Sequence, residues 1–303
     1  MKTIIVGSIA FDAIETPFAK TDKIIGGAGT YICFCSSYFT KPHAVAVVGG
    51  DFPEEYISKL KNKGVVTDGL QIKKGEKTFF WAGKYFDNMN QRETLVTELN
   101  VLENFDPIIP DSYQNAEYVM LGNLSPIVQR QVIERLNNRP KLIVMDTMNF
   151  WMDIMMDELK KTISMVDVIT INDEEARQLS GEYSLPAAAK KIREMGPKYV
   201  IIKKGEHGAL LFHEEGMFYA PALPLENVID PTGAGDTFAG GFIGYIAQQD
   251  KTDFKTMKNA LIVGSAMASF TVEKMGTEGI ENLSQKDINA RILMFKDLTS
   301  FDL

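Results

Sequence analysis

The sequence Asp230-Pro231-Thr232-Gly233-Ala234-Gly235-Asp236 leads into an apolar run, Thr237 to Gln249, that reads as a helix. Its two glycines allow positive φ angles, so the backbone N–H groups can turn toward one point. The start of a helix attracts anions, because its first N–H groups lack partners and the helix dipole is positive there. The carboxylate at position 236 is placed beside them to accept a proton from an attacking hydroxyl. The stretch therefore predicts phosphoryl-transfer chemistry.

Two other glycine-rich turns do not fit this chain. The phosphate-binding loop G-x-x-x-x-G-K-[ST] occurs nowhere in the sequence. The dinucleotide pattern G-x-G-x-x-G fails after Gly233-Ala234-Gly235, because Phe238 stands where the third glycine belongs. It also fails after Gly27-Ala28-Gly29, where Ile32 stands in that place. A nicotinamide-dependent dehydrogenase is therefore disfavoured.

The composition limits the possible partners. The 303 residues carry a net charge of −8, and 45% of them are hydrophobic, which is ample for a buried core. No basic stripe suited to nucleic acid occurs, and no run reaches the roughly 18 uncharged apolar residues that suggest a membrane span. Cys33 and Cys35 are too close for an easy disulfide, which favours reduced thiols in the cytoplasm. We expect neither nucleic acid nor membrane as a partner.

Short apolar runs alternate with helix-like stretches along most of the chain. Their β-branched residues suit buried strands, and the alternation predicts an α/β fold with a mainly parallel sheet and helices on both faces. Ligands of such sheets bind at the carboxyl ends of the strands. The N-terminal stretch Met1–Phe11 is expected to be a first strand rather than a leader peptide. The predicted strand cores are Thr3–Val6, Ala44–Val48, Tyr118–Leu121, Leu142–Met145, Val168–Ile171, Tyr199–Ile202 and Ala209–Phe212, and the clearest helices are Glu54–Lys63, Ile127–Asn137, Glu174–Leu179, Leu185–Met195, Phe254–Glu273 and Gln285–Phe295.

One segment interrupts the alternation. Lys77–Tyr85 and Arg92–Leu99 are strand-like and flank the polar, turn-prone stretch Asp87-Asn88-Met89-Asn90, which predicts a β-hairpin. A hairpin inserted in an α/β domain cannot easily bury both faces. It either forms an edge of the sheet or projects as a lid over a site.

The chain resembles the ribokinase-like carbohydrate kinases, the PfkB family, whose signature D-[TP]-x-G-A-G-D-x-F is met by Asp230–Phe238. The resemblance covers nearly the whole chain. It implies a single three-layer α/β/α domain over residues 1–303, with a small β lid contributed by about 12–24 and 77–99. It also implies that Asp236 is the general base and that the amides of the turn, from Gly233 through Ala234 and Gly235 to Asp236, form an anion hole.

On the acceptor side, Gly26-Gly27 resembles the family's substrate motif G-G-x-x-x-N. The asparagine is replaced by Tyr31, which suggests an aromatic platform or a different acceptor. Asp12 stands where the family commonly holds an acid that accepts hydrogen bonds from substrate hydroxyls; an ordinary solvated aspartate is the alternative.

On the nucleotide side, Asn172-Asp173-Glu174-Glu175 fits the family motif N-x-x-E, which implies that Asn172 and Glu175 tune Mg²⁺ and phosphate binding through water. As a simple helix cap, the same residues need no ligand. Lys203-Lys204-Gly205-Glu206-His207-Gly208 resembles the G-x-x-G nucleotide loop, with a tight hairpin as the alternative. Three further assignments are weaker: Asn259 at the start of a helix that walls the adenine pocket, Asp230 and Thr232 at a possible K⁺ site, and Asp146 or Asn149 after a strand end, where either could reach phosphate or metal-bound water.

The resemblance implies an ATP-dependent kinase for a hydroxyl of a small sugar, with Mg²⁺ as cofactor. A nucleoside kinase of the same family is the alternative, in which Tyr31 and Trp81 stack on the base. A catalytically silent sugar or nucleotide sensor on this fold would have little use for Asp236. By analogy with the family, the lid also suggests a homodimer.

Overall fold

The computed structural model describes residues 2–89, 91–300 and 302. In these residues the strands form two sheets, and helices connect most strands of the larger one. The strands are β1 (Lys2–Val6), β2 (Ala10–Glu15), β3 (Ile24–Gly26), β4 (Lys41–Gly49), β5 (Val66–Lys73), β6 (Phe80–Tyr85), β7 (Arg92–Glu98), β8 (Tyr118–Leu121), β9 (Leu142–Asp146), β10 (Val168–Asn172), β11 (Tyr199–Lys203), β12 (Ala209–His213) and β13 (Gly216–Ala220). The helices are α1 (Ala28–Ser36), α2 (Glu54–Asn62), α3 (Pro126–Glu134), α4 (Asn149–Ile154), α5 (Met156–Ile163), α6 (Asp173–Ser180), α7 (Leu185–Arg193), α8 (Ala234–Gln249), α9 (Phe254–Thr271), α10 (Glu278–Glu281) and α11 (Gln285–Thr299).

The larger sheet has the strand order β13-β12-β11-β10-β9-β8-β1-β4-β5. Strands β11 to β5 of this order are parallel, and β12 and β13 are antiparallel at one edge. All seven predicted strand cores belong to this sheet. The carboxyl ends of the parallel strands meet at one edge, where the loops that follow β1, β9 and β10 lie close to one another.

The sheet is buried on both faces. Alternate residues of each strand enter different cores: Ile5 packs with α1, α8 and α9, whereas Ile4 and Val6 pack on the opposite face with α3, α5 and α7. This is why the strands read as continuous apolar runs. The predicted three-layer α/β/α architecture is confirmed.

The smaller sheet has the order β3-β2-β6-β7. The predicted hairpin is present, because β6 and β7 pair in antiparallel register, and β2 adds to it in parallel. The alternative that the hairpin is an edge of the main sheet is therefore wrong. The turn between β6 and β7 includes Asn90, which lies outside the described residues.

Two boundaries differ from the prediction. The N-terminal stretch is not one strand: Met1 lies outside the described residues, β1 ends at Val6, and the chain crosses to the smaller sheet at Ala10. Gly7 causes this departure, because its backbone packs against Gly29 at the start of α1. Helix α8 begins at Ala234, three residues earlier than predicted, so that Asp236 lies inside its first turn.

Helices α1 and α8 run parallel in close contact. A Cβ placed on Gly240 would lie 2.8 Å from the Ile32 carbonyl oxygen, and one placed on Gly244 would lie 3.1 Å from the Ser36 Cα. Because these contacts advance in the same direction along both helices, the two helix N-termini lie at the same end. The fold thus brings the N-termini of two helices to one place.

The tight contact predicts the effect of Gly240→Ala. Alanine favours a helix over glycine by about 1 kcal/mol, so an uncrowded helix would become more stable. Overpacking costs about 1–3 kcal/mol, and we expect the free energy of unfolding in urea to fall. Gln248→Ala, at an exposed position of the same helix, is the matched control and should change stability by less than about 0.5 kcal/mol. An unchanged or raised stability in Gly240→Ala would show that the contact is loose.

Candidate active site

The turn before α8 presents unpaired N–H groups. Gly233 is the N-cap of α8 and has a φ of 74°, the left-handed conformation that glycine adopts without strain. The Ala234 N–H donates to the Pro231 carbonyl at 3.2 Å. No acceptor among the described residues takes the N–H groups of Gly235 or Asp236. Of the predicted anion hole, these two amides remain free, and Gly235 has a helical rather than a positive φ.

Tyr31 supports this turn from below. Its ring is buried, at 1% exposure, and touches the position that a Cβ of Gly233 would occupy. The prediction that Tyr31 offers a stacking platform is therefore wrong, because α1 is buried on every side. Its hydroxyl has no hydrogen-bond partner among the described residues. Burial, with Asp12 and Asp230 nearby, raises the pKa of Tyr31 well above its usual value.

Asp12 and the two predicted substrate glycines meet at the start of α1. The carboxylate of Asp12 fills the space where a side chain at Gly26 would be, and its Oδ2 accepts from the Gly27 N–H at 3.4 Å. Asp12 is only 4% exposed, so the alternative of a solvated aspartate is wrong. Burial, the largest effect, and the negative charges of Asp236 and Asp230 together raise the pKa of Asp12 to about 7, against the hydrogen bond from Gly27.

Asp236 is partly exposed in the first turn of α8. Burial, the largest effect, and the charge of Asp146 raise the pKa of Asp236 to about 7, against the opposing charges of Lys203 and Arg92. Its carboxylate therefore lies near one acid, Asp146, and two cations. At neutral pH, a carboxyl with this pKa can exchange a proton with a hydroxyl group.

Lys203 lies directly beneath the turn. Its Nζ donates to Asp146 at 3.0 and 3.2 Å, and a Cβ placed on Gly235 would come within 3.2 Å of the same nitrogen. Burial alone lowers the pKa of Lys203, but the charges of Asp146 and Glu175 outweigh this effect and raise it. The lysine is therefore charged beside the free amides. Asp146, a minor candidate in the sequence, is buried at the centre of the site.

Asn172 and Glu175 form a reciprocal cap at the start of α6. The Glu175 N–H donates to Asn172 Oδ1, and the Asn172 N–H donates to Glu175 Oε2, both at 2.8 Å. Burial raises the pKa of Glu175 to about 7, with the charge of Lys203 opposing it and that of Asp146 adding to it. The simple capping function is thus real, and the same acid also faces the ion pair of Lys203.

The other predicted nucleotide residues lie farther from Asp236. Gly205 and Gly208 flank a short 3₁₀ turn between β11 and β12, and Gly208 packs against the backbone of Ala220 and Pro221. Asn259 is exposed on α9, with its Nδ2 3.5 Å from the Tyr245 hydroxyl. Tyr245 is eleven residues beyond Ala234, or about 16 Å along the helix at 1.5 Å per residue.

Asp230 ties two loops together. One carboxylate oxygen accepts from the Thr232 N–H at 2.8 Å and the other from the Gly276 N–H at 2.9 Å. Burial raises the pKa of Asp230, and the opposing effects come from Thr232 and Gly276. In the described residues no cationic side chain contributes to this balance. Asp230 is thus a buried carboxyl group with no protein cation beside it in the part of the chain that the structure describes.

The smaller sheet reaches this turn through Tyr85. Its hydroxyl lies 3.2 Å from Thr232 Oγ1, and both residues are buried. Arg92 is directly opposite Tyr85 in the β6–β7 register, and its charge lowers the pKa of Tyr85 against the larger effect of burial. Sequence reasoning missed both residues. Their one signal is alternation along the predicted hairpin, which places them on a common face but does not show which face meets the site.

Comparison with known proteins agrees with this geometry. Residues 4–283 match the family model described as pfkB family carbohydrate kinase. The chain belongs to that family. It is 29% identical to a cytidine kinase of Thermococcus kodakarensis, over 80% of this chain and 87% of the relative, and 26% identical to a nucleoside kinase of Methanothermobacter thermautotrophicus, over 90% of each. A solved nucleoside kinase of Methanocaldococcus jannaschii, described as a member of the ribokinase family, has a TM-score of 0.78 at 20% identity and covers 97% of this chain and 98% of its own.

The family predicted from the signature is thereby confirmed, and so is the enzyme class. The pfkB family chain is an ATP-dependent phosphotransferase with an alcohol group as acceptor, a sugar or nucleoside kinase that uses a divalent metal ion with ATP. In residues 2–89, 91–300 and 302, no helix is long and apolar enough to cross a membrane.

Proposed function

We propose that this kinase transfers the γ-phosphoryl group of ATP to a ribose hydroxyl of a nucleoside, with Asp236 as general base. The supporting observation is the position of Asp236 in the first turn of α8, beside free N–H groups and close enough to Asp12 for the two charges to interact. The sequence favoured a small sugar as acceptor, with a nucleoside as the alternative; here we propose the nucleoside, whose ribose supplies the acceptor hydroxyl and whose base provides an additional contact.

In the proposed mechanism, Asp12 accepts hydrogen bonds from acceptor hydroxyls beside Gly26 and Gly27. Asp236 takes the proton of the attacking hydroxyl of the acceptor. At the same time the oxygen of that hydroxyl bonds to the γ-phosphorus, and the bond from the γ-phosphorus to the oxygen that stays with ADP breaks. The N–H groups of Gly235 and Asp236 hold the charge of the transferred oxygens, a contribution of about 3 kcal/mol for a well-placed donor in other enzymes. The ammonium of Lys203 strengthens this positive end.

The residues fit a Mg²⁺ ion that is carried by the nucleotide. No group of three or more acidic, histidine or cysteine side chains in the described residues could hold a metal directly. Mg²⁺ prefers phosphate oxygens and water, and it would neutralise the phosphate charge. Glu175 and Asn172 already hydrogen-bond each other's backbone N–H groups in the helix cap. We therefore assign them to the outer water shell of Mg²⁺ rather than to direct coordination, and we place Lys203 and Gly205 beside the phosphates. Gly208 and Asn259 border the path toward the adenine, since Asn259 of α9 lies beside Tyr245, which is too far along α8 for the phosphates.

We assign a K⁺ site to the loop of Asp230 and Thr232. Asp230 is a buried carboxylate whose charge has no protein cation in the described residues, and a monovalent cation beside it would supply that charge. Equal turnover in Na⁺ and K⁺ at matched ionic strength would exclude this site.

We also propose a homodimer through the smaller sheet, in a cytoplasmic enzyme. All seven residues of β7 are exposed, and Leu95 and Val96 are among them at 51% and 40%. An open edge strand with two exposed apolar residues is suited to pairing with a second copy. Val96→Lys should convert a dimer to a monomer in sedimentation experiments; a wild-type monomer at micromolar concentration would reject the proposal.

The nucleoside is favoured over a free sugar by Trp81. It lies opposite Asp12 in the parallel β2–β6 register, so both side chains share one face of the sheet. Its indole is partly exposed and lies over Gly83, with its Nε1 donating to Thr94 at 3.3 Å. The indole thus offers a flat surface next to the acid that would bind the sugar hydroxyls.

For Asp236→Asn we expect phosphoryl transfer to fall by about a hundredfold or more, because general bases usually contribute that much. Binding of ATP, measured by calorimetry, should be retained, since the asparagine leaves the backbone N–H groups in place. Turnover near the wild-type value would contradict the assignment of the base.

The pH profile follows from the raised pKa of Asp236. Because a base must be unprotonated and the pKa of Asp236 is about 7, kcat/KM should fall as the pH drops below about 7. Asp146→Asn removes a negative charge that raises this pKa, so it should move the acidic limb to lower pH. A flat profile from pH 5.5 to 8, or a shift in the other direction, would argue against Asp236 as the titrating base.

Trp81→Ala separates the two acceptor classes. Stacking contributes about 1–3 kcal/mol per base, so KM for the best nucleoside should rise by roughly tenfold or more, while KM for ribose stays unchanged. Trp81→Phe keeps an aromatic surface and should restore most of the affinity. An equal effect on nucleoside and ribose, or phosphorylation of free sugars alone, would favour the sugar kinase.

A further inference from the structure

The hydroxyl group of Tyr31 is buried and unpartnered. The residue is 1% exposed, and in the part of the chain that the structure describes no hydrogen-bond partner reaches its oxygen. The ring touches Gly233, and the oxygen lies 4.0 Å from the position that a Cβ of Gly276 would occupy. A buried hydroxyl without a partner costs stability, because it has lost its hydrogen bonds to water. Such a group in a native protein needs an explanation.

Other buried tyrosines of this fold have partners for their hydroxyl groups. The hydroxyl of Tyr113 accepts from the Gly69 N–H at 3.2 Å and donates to the Val66 carbonyl at 3.0 Å. The hydroxyl of Tyr118 donates to a carboxylate oxygen at 2.6 Å. Both residues are as buried as Tyr31. The unpartnered phenol is therefore a local feature of the site and not a general property of the core.

The phenol of Tyr31 lies among acids. Burial is the main cause of its raised pKa, and the charges of Asp12, Asp230 and Asp236 add to the effect of burial in that order. Tyr85 is a further titratable group that acts on it. An ionised carboxylate can only accept hydrogen bonds, whereas a phenol can donate one. The surroundings of the hydroxyl thus offer it acceptors.

Among these acids, Asp12 has the most capacity left to accept a hydrogen bond. Both carboxylate oxygens of Asp230 already accept backbone N–H groups, at 2.8 and 2.9 Å. Asp236 is the proposed base and needs its oxygens for the acceptor. Within the described residues, Asp12 accepts one hydrogen bond, from the Gly27 N–H, and its length of 3.4 Å makes it a weak one. A second donor would therefore stabilise the ionised form of Asp12.

The fold brings Asp12 and the phenol to the same junction. Asp12 is opposite Ile24 in the β2–β3 register. The Cδ1 of Ile24 and the hydroxyl of Tyr31 approach one point, the Cβ position of Gly276, at 2.7 and 4.0 Å. Tyr31 comes from α1, whose N-cap Gly27 is the residue that donates to Asp12. Acid and phenol thus lie where β3 leads into α1.

We propose that Tyr31 is a positioning residue whose hydroxyl donates a hydrogen bond to the carboxylate of Asp12 when Asp12 binds the acceptor. This rests on the proposed function, in which Asp12 accepts hydrogen bonds from acceptor hydroxyls. In the free enzyme the pKa of Asp12 is about 7, so a large share of Asp12 is neutral at neutral pH. Acceptor hydroxyls favour the ionised form, and hydrogen bonds to ionised carboxylates are the stronger ones. The phenol gains its partner in the complex, and its unfavourable burial in the free enzyme becomes affinity for the acceptor.

The first test measures Tyr31→Phe with the best substrate among adenosine, cytidine, guanosine, uridine and inosine. KM for that nucleoside should rise by about tenfold or more, the effect of one hydrogen bond to a charged group. The values of kcat and of KM for ATP should stay within about threefold, since the contact is equal in ground and transition states. The Tm should equal or exceed that of wild type, because the ring remains and an unpartnered buried hydroxyl is removed.

Tyr113→Phe is the matched control, because it removes a buried hydroxyl that has both its partners. It should lower the Tm and leave KM for the nucleoside unchanged, the opposite pattern to Tyr31→Phe. A KM within threefold of wild type in Tyr31→Phe would overturn the proposal. So would a lowered Tm in Tyr31→Phe with the nucleoside KM unchanged, which would mean that the hydroxyl serves the fold.

An Asp12→Asn background tests whether the phenol acts through Asp12. The charged acceptor of its hydrogen bond is then absent, so adding Tyr31→Phe should raise the nucleoside KM by less than about threefold beyond Asp12→Asn alone. If the two substitutions instead multiply in full, the phenol does not act through Asp12 and the proposal is wrong.

The pH dependence separates this hydrogen bond from a contact of shape. The ratio of the nucleoside Kd of Tyr31→Phe to that of wild type, measured by calorimetry without ATP, should be largest at pH 8, where Asp12 is ionised. It should decrease as the pH falls toward 5 and Asp12 becomes protonated in the complex. Asp230, Asp236 and Tyr85 face the same space, but they are present in both proteins and largely cancel in the ratio. A ratio that stays constant from pH 8 to 5 would overturn the proposal.

The failure of this proposal differs from failure of the proposed function. If Asp12→Asn raises the nucleoside KM while Tyr31→Phe does not, only the function of Tyr31 is rejected. If Asp12→Asn leaves that KM unchanged, or wild type phosphorylates no nucleoside, the proposed acceptor site itself is rejected.

Discussion

The close parallel contact of α1 and α8 is the constraint on which the site depends. Gly240 and Gly244 let the two helix backbones approach, and the contact sets the N-cap of one helix beside that of the other. Tyr31 then extends from α1 to support Gly233. A wider separation would leave Asp12 and Asp236 in different clefts. Helix packing, rather than loop structure, therefore determines how far Asp12 lies from Asp236.

The site concentrates buried negative charge and balances it only in part. Burial raises the pKa values of Asp12, Glu175 and Asp236 to about 7, which is costly for the free protein unless protons or cations are bound. Lys203 is the buried cation of the site, and the charge of Arg92 on the smaller sheet acts on Asp236 and Glu175 as well. In the proposed function, ATP with its metal ion and the acceptor supply the remaining charge and hydrogen bonds.

The fold was largely predictable, because buried parallel strands leave continuous apolar runs in the sequence. Strand β5 escaped prediction since Asp68 and Gln71 interrupt a half-exposed run, and β13 is a mostly exposed edge strand. At the site, the signature turn and the acid at position 12 were visible as motifs. The environment of Tyr31 was not, because nothing in a six-residue motif shows that α1 is buried on every side. Arg92 also escaped, since only the strand register shows which face it occupies.

The decisive measurement is the stoichiometry of products with ATP, Mg²⁺ and a panel of nucleosides, with ADP followed enzymatically and the acceptor by mass spectrometry. If the N-termini of α1 and α8 form the phosphoryl-transfer site, the enzyme should yield one phosphorylated nucleoside for each ADP. It should release almost no ADP when the acceptor is omitted. ADP release that is independent of the acceptor and accompanied by inorganic phosphate would contradict the assignment of this cleft to phosphoryl transfer between ATP and a hydroxyl.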